Sequence, residues 1–135
     1  MDTKILLVLP PHRQSGLLKL LDSKELQVFS VSSLREAEEK LAEASHYDLL
    51  LVDAELPDGS WRDLLQLLQR PSRSIEMIVC SRQGDEQLWA EVLQCGGYDL
   101  LVEPYDHREV HRIIDSALAS QYMRRFSQMQ TPKAS

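Results

Sequence analysis

Short apolar segments alternate with amphipathic helical segments five times, and this alternation constrains the fold more than any other feature of the chain. Four apolar runs lie at residues 4–9, 49–52, 77–80 and 100–102, and residues 26–31 alternate apolar and polar side chains. The apolar runs suit strands covered on both faces of a sheet, and the alternating run suits an edge or half-buried strand. We therefore expect a parallel sheet with right-handed crossovers and helices on both faces.

The helices between the strands carry recognisable start and stop signals. Ser33 and Glu36 have the spacing of a capping box, Ser60 and Asp106 are suitable N-cap residues, and Gly96 is a suitable C-terminal stop. For five such units the leading topology is the flavodoxin-like (βα)5 fold, a doubly wound five-stranded parallel sheet with strand order 2-1-3-4-5. In that order, strands one and three lie side by side at the switch point.

The length and composition predict one ordinary domain. The 135 residues are too few for two domains of normal size, and a composition of 43% apolar and 27% charged residues is typical of a globular protein. We expect the domain to occupy residues 1–126. Residues 127–135 show no periodicity, so we expect a disordered C-terminal tail.

Charge and hydropathy exclude several classes of partner. The formal net charge of −6 argues against nucleic-acid binding, which needs clustered Lys and Arg. No apolar run approaches the roughly 20 residues that span a bilayer, and no signal peptide precedes the first strand, so we expect a cytoplasmic protein without a membrane partner. Cys80 and Cys95 lack the spacing of a zinc site and are predicted to be reduced thiols.

Asp53 is the most prominent candidate for chemistry. It follows the apolar run Leu49–Val52 directly and precedes a turn that contains Pro57, Asp58 and Gly59. In an open parallel sheet, reactive groups and ligands collect beyond the carboxyl ends of the strands. Asp53 is therefore expected at the crevice between strands one and three, although an aspartate can also simply open a turn.

Four segments at the strand ends stand out together. They are Lys-Ile-Leu-Leu-Val from Lys4, Asp-Ala-Glu-Leu-Pro-Asp-Gly from Asp53, Ile-Val-Cys-Ser from Ile78, and Gly-Gly-Tyr-Asp-Leu-Leu-Val-Glu-Pro-Tyr from Gly96. In this order and spacing, from Lys4 to about Ala119, the chain resembles the receiver domain of bacterial two-component response regulators. The resemblance implies that Asp53 matches the aspartate that a histidine kinase phosphorylates. It also implies that Ser81 matches the hydroxyl that binds the phosphoryl group, and that Tyr105 matches the aromatic residue of the interaction face.

The chain departs from the receiver pattern at the residues that support phosphoryl transfer. The family's acidic pair, which holds the divalent cation, falls on Leu9 and Pro10, or on Pro10 and Pro11 if the register slips by one. The family's lysine falls on Glu103, which reverses the charge. Since Mg²⁺ is held through carboxylates and phosphate oxygens, we expect weak or absent Mg²⁺ binding, no other cofactor or resident metal, and weak or absent phosphorylation of Asp53. The resemblance then indicates a degenerate receiver.

Two residues are candidates to compensate for these losses. Arg82 follows Ser81 directly and is placed to swing toward Asp53 or Glu103, although a solvated loop arginine is an equal alternative. Glu55, together with Asp53 and Glu103, is a possible rearranged cation site, but three loop-end acids are more often merely solvated. His12 is a further candidate ligand for a metal held by these acids, but a single histidine on a loop is weak evidence for a metal site.

The predicted function is that of a stand-alone receiver-like signalling domain of a phosphorelay, which is not an enzyme and acts by protein–protein interaction. The resemblance points to the face formed by the fourth helix, fifth strand and fifth helix, where a sensor kinase, an effector or a second copy would bind. Trp89 lies on an apolar helical stripe and is predicted to be a core residue, whereas Trp61 is left open. Tyr122, Met123 and Phe126 extend the last helical stripe and suit a contact or a frayed end.

Two alternatives remain open at this point. One is an active phosphoacceptor, in which Glu55, Arg82 and main-chain groups support phosphorylation of Asp53. The other is a small-molecule-binding module that uses the same crevice. A flavin is disfavoured, because Pro10, Pro11 and His12 stand where a glycine- or hydroxyl-rich phosphate loop would be needed.

Overall fold

The computed structural model describes residues 3–43, 46–68 and 75–130, with the backbone alone for 127–130. Five parallel strands form one sheet, and their spatial order, numbered along the chain, is 2-1-3-4-5, which confirms the predicted topology. The strands are β1 (Thr3–Val8), β2 (Leu26–Val31), β3 (Leu49–Asp53), β4 (Glu76–Ser81) and β5 (Asp99–Val102). The helices are α1 (Pro11–Leu20), α2 (Leu34–Glu43), α3 (Trp61–Leu68), α4 (Glu86–Cys95) and α5 (His107–Gln130). Two two-residue strands, Glu55–Leu56 and Gly59–Ser60, form a small antiparallel hairpin after β3.

Alternate side chains of the central strands pack against helices on opposite faces of the sheet. On one face, Leu6 and Leu50 belong to a core that includes residues of α2, α3 and α4, among them Trp61. On the other face, Ile5 and Leu51 belong to a core that includes residues of α1 and α5. This period-two division explains why the central strands are apolar on both sides.

Local signals set the helix boundaries as the sequence predicted. Ser60 Oγ accepts a hydrogen bond from Arg62 N at 3.2 Å, and Asp63 Oδ2 accepts one from Ser60 N at 3.0 Å, which is a reciprocal capping box. At the end of α4, Gly96 adopts a left-handed conformation with φ of 104°, where glycine avoids the steric cost of a Cβ. Proline cannot continue a helix, so Pro71 is the residue at which the sequence predicts that α3 ends, but residues 69–74 lie outside the described part of the chain.

Two expectations from the sequence are wrong. Trp89 is 48% exposed rather than in the core, because among the residues of α4 it is Val92 that is buried against the sheet. Trp61, which the sequence left open, is the buried tryptophan. The last helix continues to Gln130 instead of losing its structure at residue 127, and no Gly or Pro interrupts it before Pro132. Residues 131–135 lie outside the described residues.

Candidate functional site

Asp53 lies at the carboxyl end of β3, at the switch point between β1 and β3. Val8 and Val52 are paired across these two strands, so the residues after Val8 and Asp53 lie at the same edge of the sheet. The Asp53 residue is only 1% exposed. Its Oδ1 accepts a hydrogen bond from Glu55 N at 3.1 Å, in the manner of an Asx turn. Asp53 therefore both opens the turn after β3 and lies at the crevice between β1 and β3.

Arg13, on the first turn of α1, contacts the carboxylate of Asp53 and a second carboxylate. Its Nη1 donates to Asp53 Oδ2, and its Nε donates to Glu103 Oε1 at 3.1 Å. The side chains of Arg13 and Asp53 are 7% and 2% exposed. Arg13 thus links the end of β3 to the segment after β5, and it is a residue of the candidate site that the sequence patterns did not identify.

The position of Arg13 follows from the local sequence. Pro11 occupies the first position of α1, where its fixed φ suits a helix and its missing N–H is not needed. Arg13 is the third residue of the helix, which places it at the helix N-terminus that faces the crevice. A cation in this turn is disfavoured by the helix dipole, and α1 has no acidic residue in its first turn. The carboxylates of Asp53 and Glu103 offset that unfavourable placement.

The charges of this trio are balanced in part. Two carboxylates and one guanidinium leave a formal charge of −1 when all three are ionised. Burial disfavours the charged form of Arg13, but the neighbouring Asp53 and Glu103 outweigh it, so the pKa of Arg13 is raised and the guanidinium stays protonated. Glu103 therefore does not stand beside Asp53 as an uncompensated like charge.

Two buried polar atoms beside this trio have no hydrogen-bond partner in the described part of the chain. They are Arg13 Nη2 and the hydroxyl oxygen of Tyr105. Burial raises the pKa of Tyr105, so its hydroxyl remains protonated. Burial also raises the pKa of the Cys80 thiol, which is paired with Asp53 across β3 and β4, to about 12. Tyr105 and Cys80 are thus protonated and poorly nucleophilic, and the carboxylate near them, Asp53, is paired with Arg13.

Of the other predicted site residues, Pro10, Glu55, Ser81 and Arg82 line a cavity of about 440 Å³ beside Asp53. Arg82 lies on its rim and contacts His12, with 3.0 Å between Arg82 Nη2 and His12 Nε2, while the ion pair to Asp53 comes from Arg13. Ser81 Oγ donates to Gln83 O at 3.1 Å and accepts from Gln83 N at 3.2 Å, within its own loop. The cavity lining consists of Pro10, His12, Arg13, Asp53, Ala54, Glu55, Ser81, Arg82 and Gln83. Glu103 and Tyr105 line a second cavity, which shares His12 and Arg13 with the first.

The divalent cation that the receiver pattern implies does not fit these residues. Leu9 is fully buried, Pro10 has no side-chain oxygen, and Asp53 Oδ2 is paired with Arg13. A cation beside Asp53 would be repelled by the guanidinium of Arg13, which is already paired with Oδ2. Among the described residues, no group of three or more His, Cys, Asp or Glu is arranged to hold a metal ion.

The sheet order and the buried aspartate at the end of β3 define a receiver-type α/β domain. A model of the response regulator receiver domain family matches residues 10–115. The chain belongs to the response regulator receiver domain family. Such domains are non-catalytic modules of two-component signalling that act with kinases and effectors. No helix in the described ranges is long and apolar enough to cross a membrane.

Curated relatives and solved structures agree with this membership. The chain is 31% identical to the response regulator protein PilR of Pseudomonas aeruginosa over 94 residues, which are 70% of this chain and 21% of PilR. It is 28% identical to the chemotaxis protein CheY of Thermotoga maritima over 76 residues, which are 56% of this chain and 62% of CheY. These matches span about a fifth of PilR and somewhat under two thirds of CheY.

Among solved structures, the signal receiver domain of an HD domain-containing protein from Pseudomonas fluorescens Pf-5 superposes with a TM-score of 0.80 and 25% identity. That match covers 91% of this chain and 99% of the other. The signal receiver domain of a LuxO repressor-type protein from Vibrio parahaemolyticus has a TM-score of 0.83 at 20% identity and covers 93% of this chain and 97% of the other. The second likeness concerns the fold.

Proposed function

We propose that this receiver domain signals by protein–protein interaction, with phosphorylation of Asp53 and binding of Mg²⁺ weak or absent. The observation that carries the proposal is the buried ion pair between Arg13 and Asp53. The losses of the family's residues at Leu9, Pro10 and Glu103 are then accompanied by a new contact, because the guanidinium of Arg13 lies next to Asp53 and Glu103.

Three features of the site oppose attack by Asp53 on a phosphoryl donor. Nucleophilic attack needs a free carboxylate oxygen, yet Oδ2 is held by Arg13 and Oδ1 accepts the Glu55 N–H. Phosphoryl transfer also needs charge stabilisation by a metal ion, and Leu9 and Pro10 supply no ligand for one. Finally, Asp53 is buried, so a donor would have to displace Arg13 to reach it.

Intact-mass analysis after incubation with acetyl phosphate and excess Mg²⁺ tests this part of the proposal. The protein and its Asp53→Ala variant are expected to show the same mass as before incubation. An adduct of one phosphoryl group that disappears in Asp53→Ala would establish the active phosphoacceptor instead. Phosphorylation of a receiver known to be active, under the same conditions, is the positive control.

The face formed by α4, β5 and α5 is the proposed interaction surface. Trp89 and Leu93 of α4 are 48% and 40% exposed, and Trp89 Nε1 donates to Asp99 Oδ1 at 3.1 Å, which fixes the ring on the surface. A shallow cavity of about 380 Å³ lies beside Trp89 and is lined by residues of all three elements, among them Leu100 and Ile113. A half-exposed tryptophan beside a depression that is lined in part by Leu100 and Ile113 is typical of an interaction hot spot.

Sedimentation velocity over a range of concentrations, and titration with a candidate sensor kinase or effector, test this surface. We expect Trp89→Ala to weaken the association that is found by at least about tenfold, which is the effect of a hot-spot aromatic residue. Phe29→Ala is the matched control, because Phe29 is 39% exposed on β2, at the other edge of the sheet. Self-association sensitive to Trp89→Ala would identify a second copy as the partner, and equal effects of both variants would refute the surface.

A further inference from the structure

On the first two turns of α5, two histidines are stacked on one face of the helix. His107 and His111 are four residues apart, and their ring centroids are 4.4 Å apart with an interplanar angle of 43°. His107 is exposed and His111 is half-buried. Neither residue belongs to the Asp53 site. Residues at this spacing lie one above the other on a helix surface, so the two imidazoles are direct neighbours.

We propose that His107 and His111 form a chelating pair for a divalent transition-metal ion of the class that imidazole binds well, such as Zn²⁺, Cu²⁺ or Ni²⁺. A zinc–nitrogen bond is about 2.0–2.1 Å long, so two nitrogens that bind one ion lie within roughly 4 Å of each other. Rings whose centroids are 4.4 Å apart are close enough for one nitrogen of each ring to approach this distance.

A hydrogen bond to α1 supports this function for His111. Its Nε2 lies 2.9 Å from the carbonyl oxygen of Leu20, and since a carbonyl only accepts, Nε2 carries the proton. In the neutral ring, Nδ1 then holds the free lone pair that a metal needs. A metal-binding histidine commonly donates its other ring N–H to a backbone carbonyl, which fixes its tautomer and orientation. The Leu20 carbonyl provides that support here.

The charges near the pair permit a cation. Asp115 is exposed one turn beyond His111, on the same side of α5, and adds a negative charge. Arg108 and Arg112 are also exposed, but each follows a histidine by one residue and therefore projects about 100° around the helix. Since no larger ligand group exists among the described residues, the pair would supply two ligands, and water or a partner would supply the others.

Isothermal titration with Zn²⁺ alone tests the proposal. We expect one ion to bind per chain, and His107→Gln and His111→Gln each to weaken binding by at least about tenfold, the lower end of the effect of perturbing a metal site. His12→Gln is the matched control, because His12 is an exposed histidine next to the Asp53 crevice and should leave binding unchanged. Asp53→Ala should also bind Zn²⁺ normally, because the two sites are separate.

A thermal melt gives a second readout that separates loss of the site from loss of the fold. A bound ion raises the Tm of the folded protein by mass action, so Zn²⁺ should raise the Tm of the wild type and of His12→Gln. It should not raise the Tm of the double variant His107→Gln/His111→Gln, whose melt in the absence of metal shows whether it folds. Equal Zn²⁺ affinity of the wild type and the folded double variant would overturn the proposal, as would the absence of wild-type binding.

Discussion

Both ends of the sheet present buried carboxylates to arginines of neighbouring helices, but the two ends differ in where the arginine lies. At the carboxyl end, Arg13 and Asp53 are both buried, with side chains 7% and 2% exposed. At the amino end, Glu76 is 3% exposed, whereas Arg124 of α5, at 3.3 Å, is 50% exposed. An arginine–carboxylate pair is therefore buried at the carboxyl end, whereas at the amino end the arginine of the pair is exposed to solvent.

The partners of the carboxylates differ as well. At the amino end, Glu76 Oε2 accepts a hydrogen bond from Ser120 Oγ at 2.6 Å, and Asp48 Oδ2 accepts one from Lys4 N at 2.9 Å. Arg125 adds a contact to Asp48 Oδ1 at 3.3 Å. Asp53 Oδ1 also has a neutral donor, Glu55 N, but its Oδ2 is paired with the buried Arg13. The comparison teaches that the arginines at the amino end help to dock α5, whereas Arg13 is buried together with Asp53 as its charged partner.

The largest effect is expected from Arg13→Met. Removing one partner of a buried ion pair leaves a buried charge, so the free energy of unfolding should fall by about 3–5 kcal/mol. Urea denaturation at neutral pH measures this change. Arg82→Met is the matched control, because Arg82 is an exposed arginine on the rim of the same cavity and should change the stability by no more than about 0.5 kcal/mol. Equal losses in the two variants would break the comparison.

A smaller loss is expected from Glu76→Ala at the other end of the sheet. It removes the acceptor of Ser120 and the partner of Arg124, so the free energy of unfolding should fall by about 1–3 kcal/mol. Amide hydrogen exchange of residues 118–126 should become faster in the variant, since the last turns of α5 lose this anchor. Unchanged exchange in that segment would contradict the proposed docking of α5.

Cys80 gives a pH-dependent prediction for the carboxyl end. Its folded-state pKa of about 12 lies above its ordinary value of 9.0, so the folded protein keeps a proton that the unfolded chain loses. The resulting stability is fully present below pH 9 and is lost as the pH rises toward 12, by about 1 kcal/mol at pH 10. Urea denaturation from pH 7 to 10 should show a shallower decline in Cys80→Ala than in the wild type. Parallel declines would contradict the buried thiol.

The smallest effect is expected from Arg124→Ala. Its guanidinium is half exposed, so the pair with Glu76 should contribute less than about 1 kcal/mol to the free energy of unfolding and should weaken further at high salt. Denaturation at low and high ionic strength measures both effects. A loss as large as that of Arg13→Met would show that burial of the arginine does not distinguish the two ends.

Much of this architecture could be predicted from the sequence. Apolar runs covered on both faces, caps such as Ser60 and stops such as Gly96 act locally, so the strands, the helices and the position of Asp53 at a strand end followed from pattern. The strand order followed from the leading topology for five such strand–helix units. Trp89 was misplaced because its helical stripe is wider than the arc of α4 that reaches the sheet. Periodicity says which residues share a face and does not say how much of that face is covered.

Arg13 escaped prediction because its partners are distant in sequence. Asp53 and Glu103 lie 40 and 90 residues further along the chain, and only the fold brings them together. One local signal was present. A basic residue in the first turn of a helix, with no acid in that turn, conflicts with the helix dipole and indicates a compensating carboxylate elsewhere.

A double-mutant cycle between Arg13 and Asp53 tests the central claim most directly, that the arginine holds the aspartate. Arg13→Met, Asp53→Asn and the double variant would be compared with the wild type by urea denaturation at pH 7. We predict a coupling free energy of about 1.5–3 kcal/mol, because Asp53→Asn removes the charge that Arg13→Met would otherwise leave buried and unpaired. Additive effects within about 0.3–0.5 kcal/mol would contradict the claim, because they would show that Arg13 does not stabilise the carboxylate of Asp53.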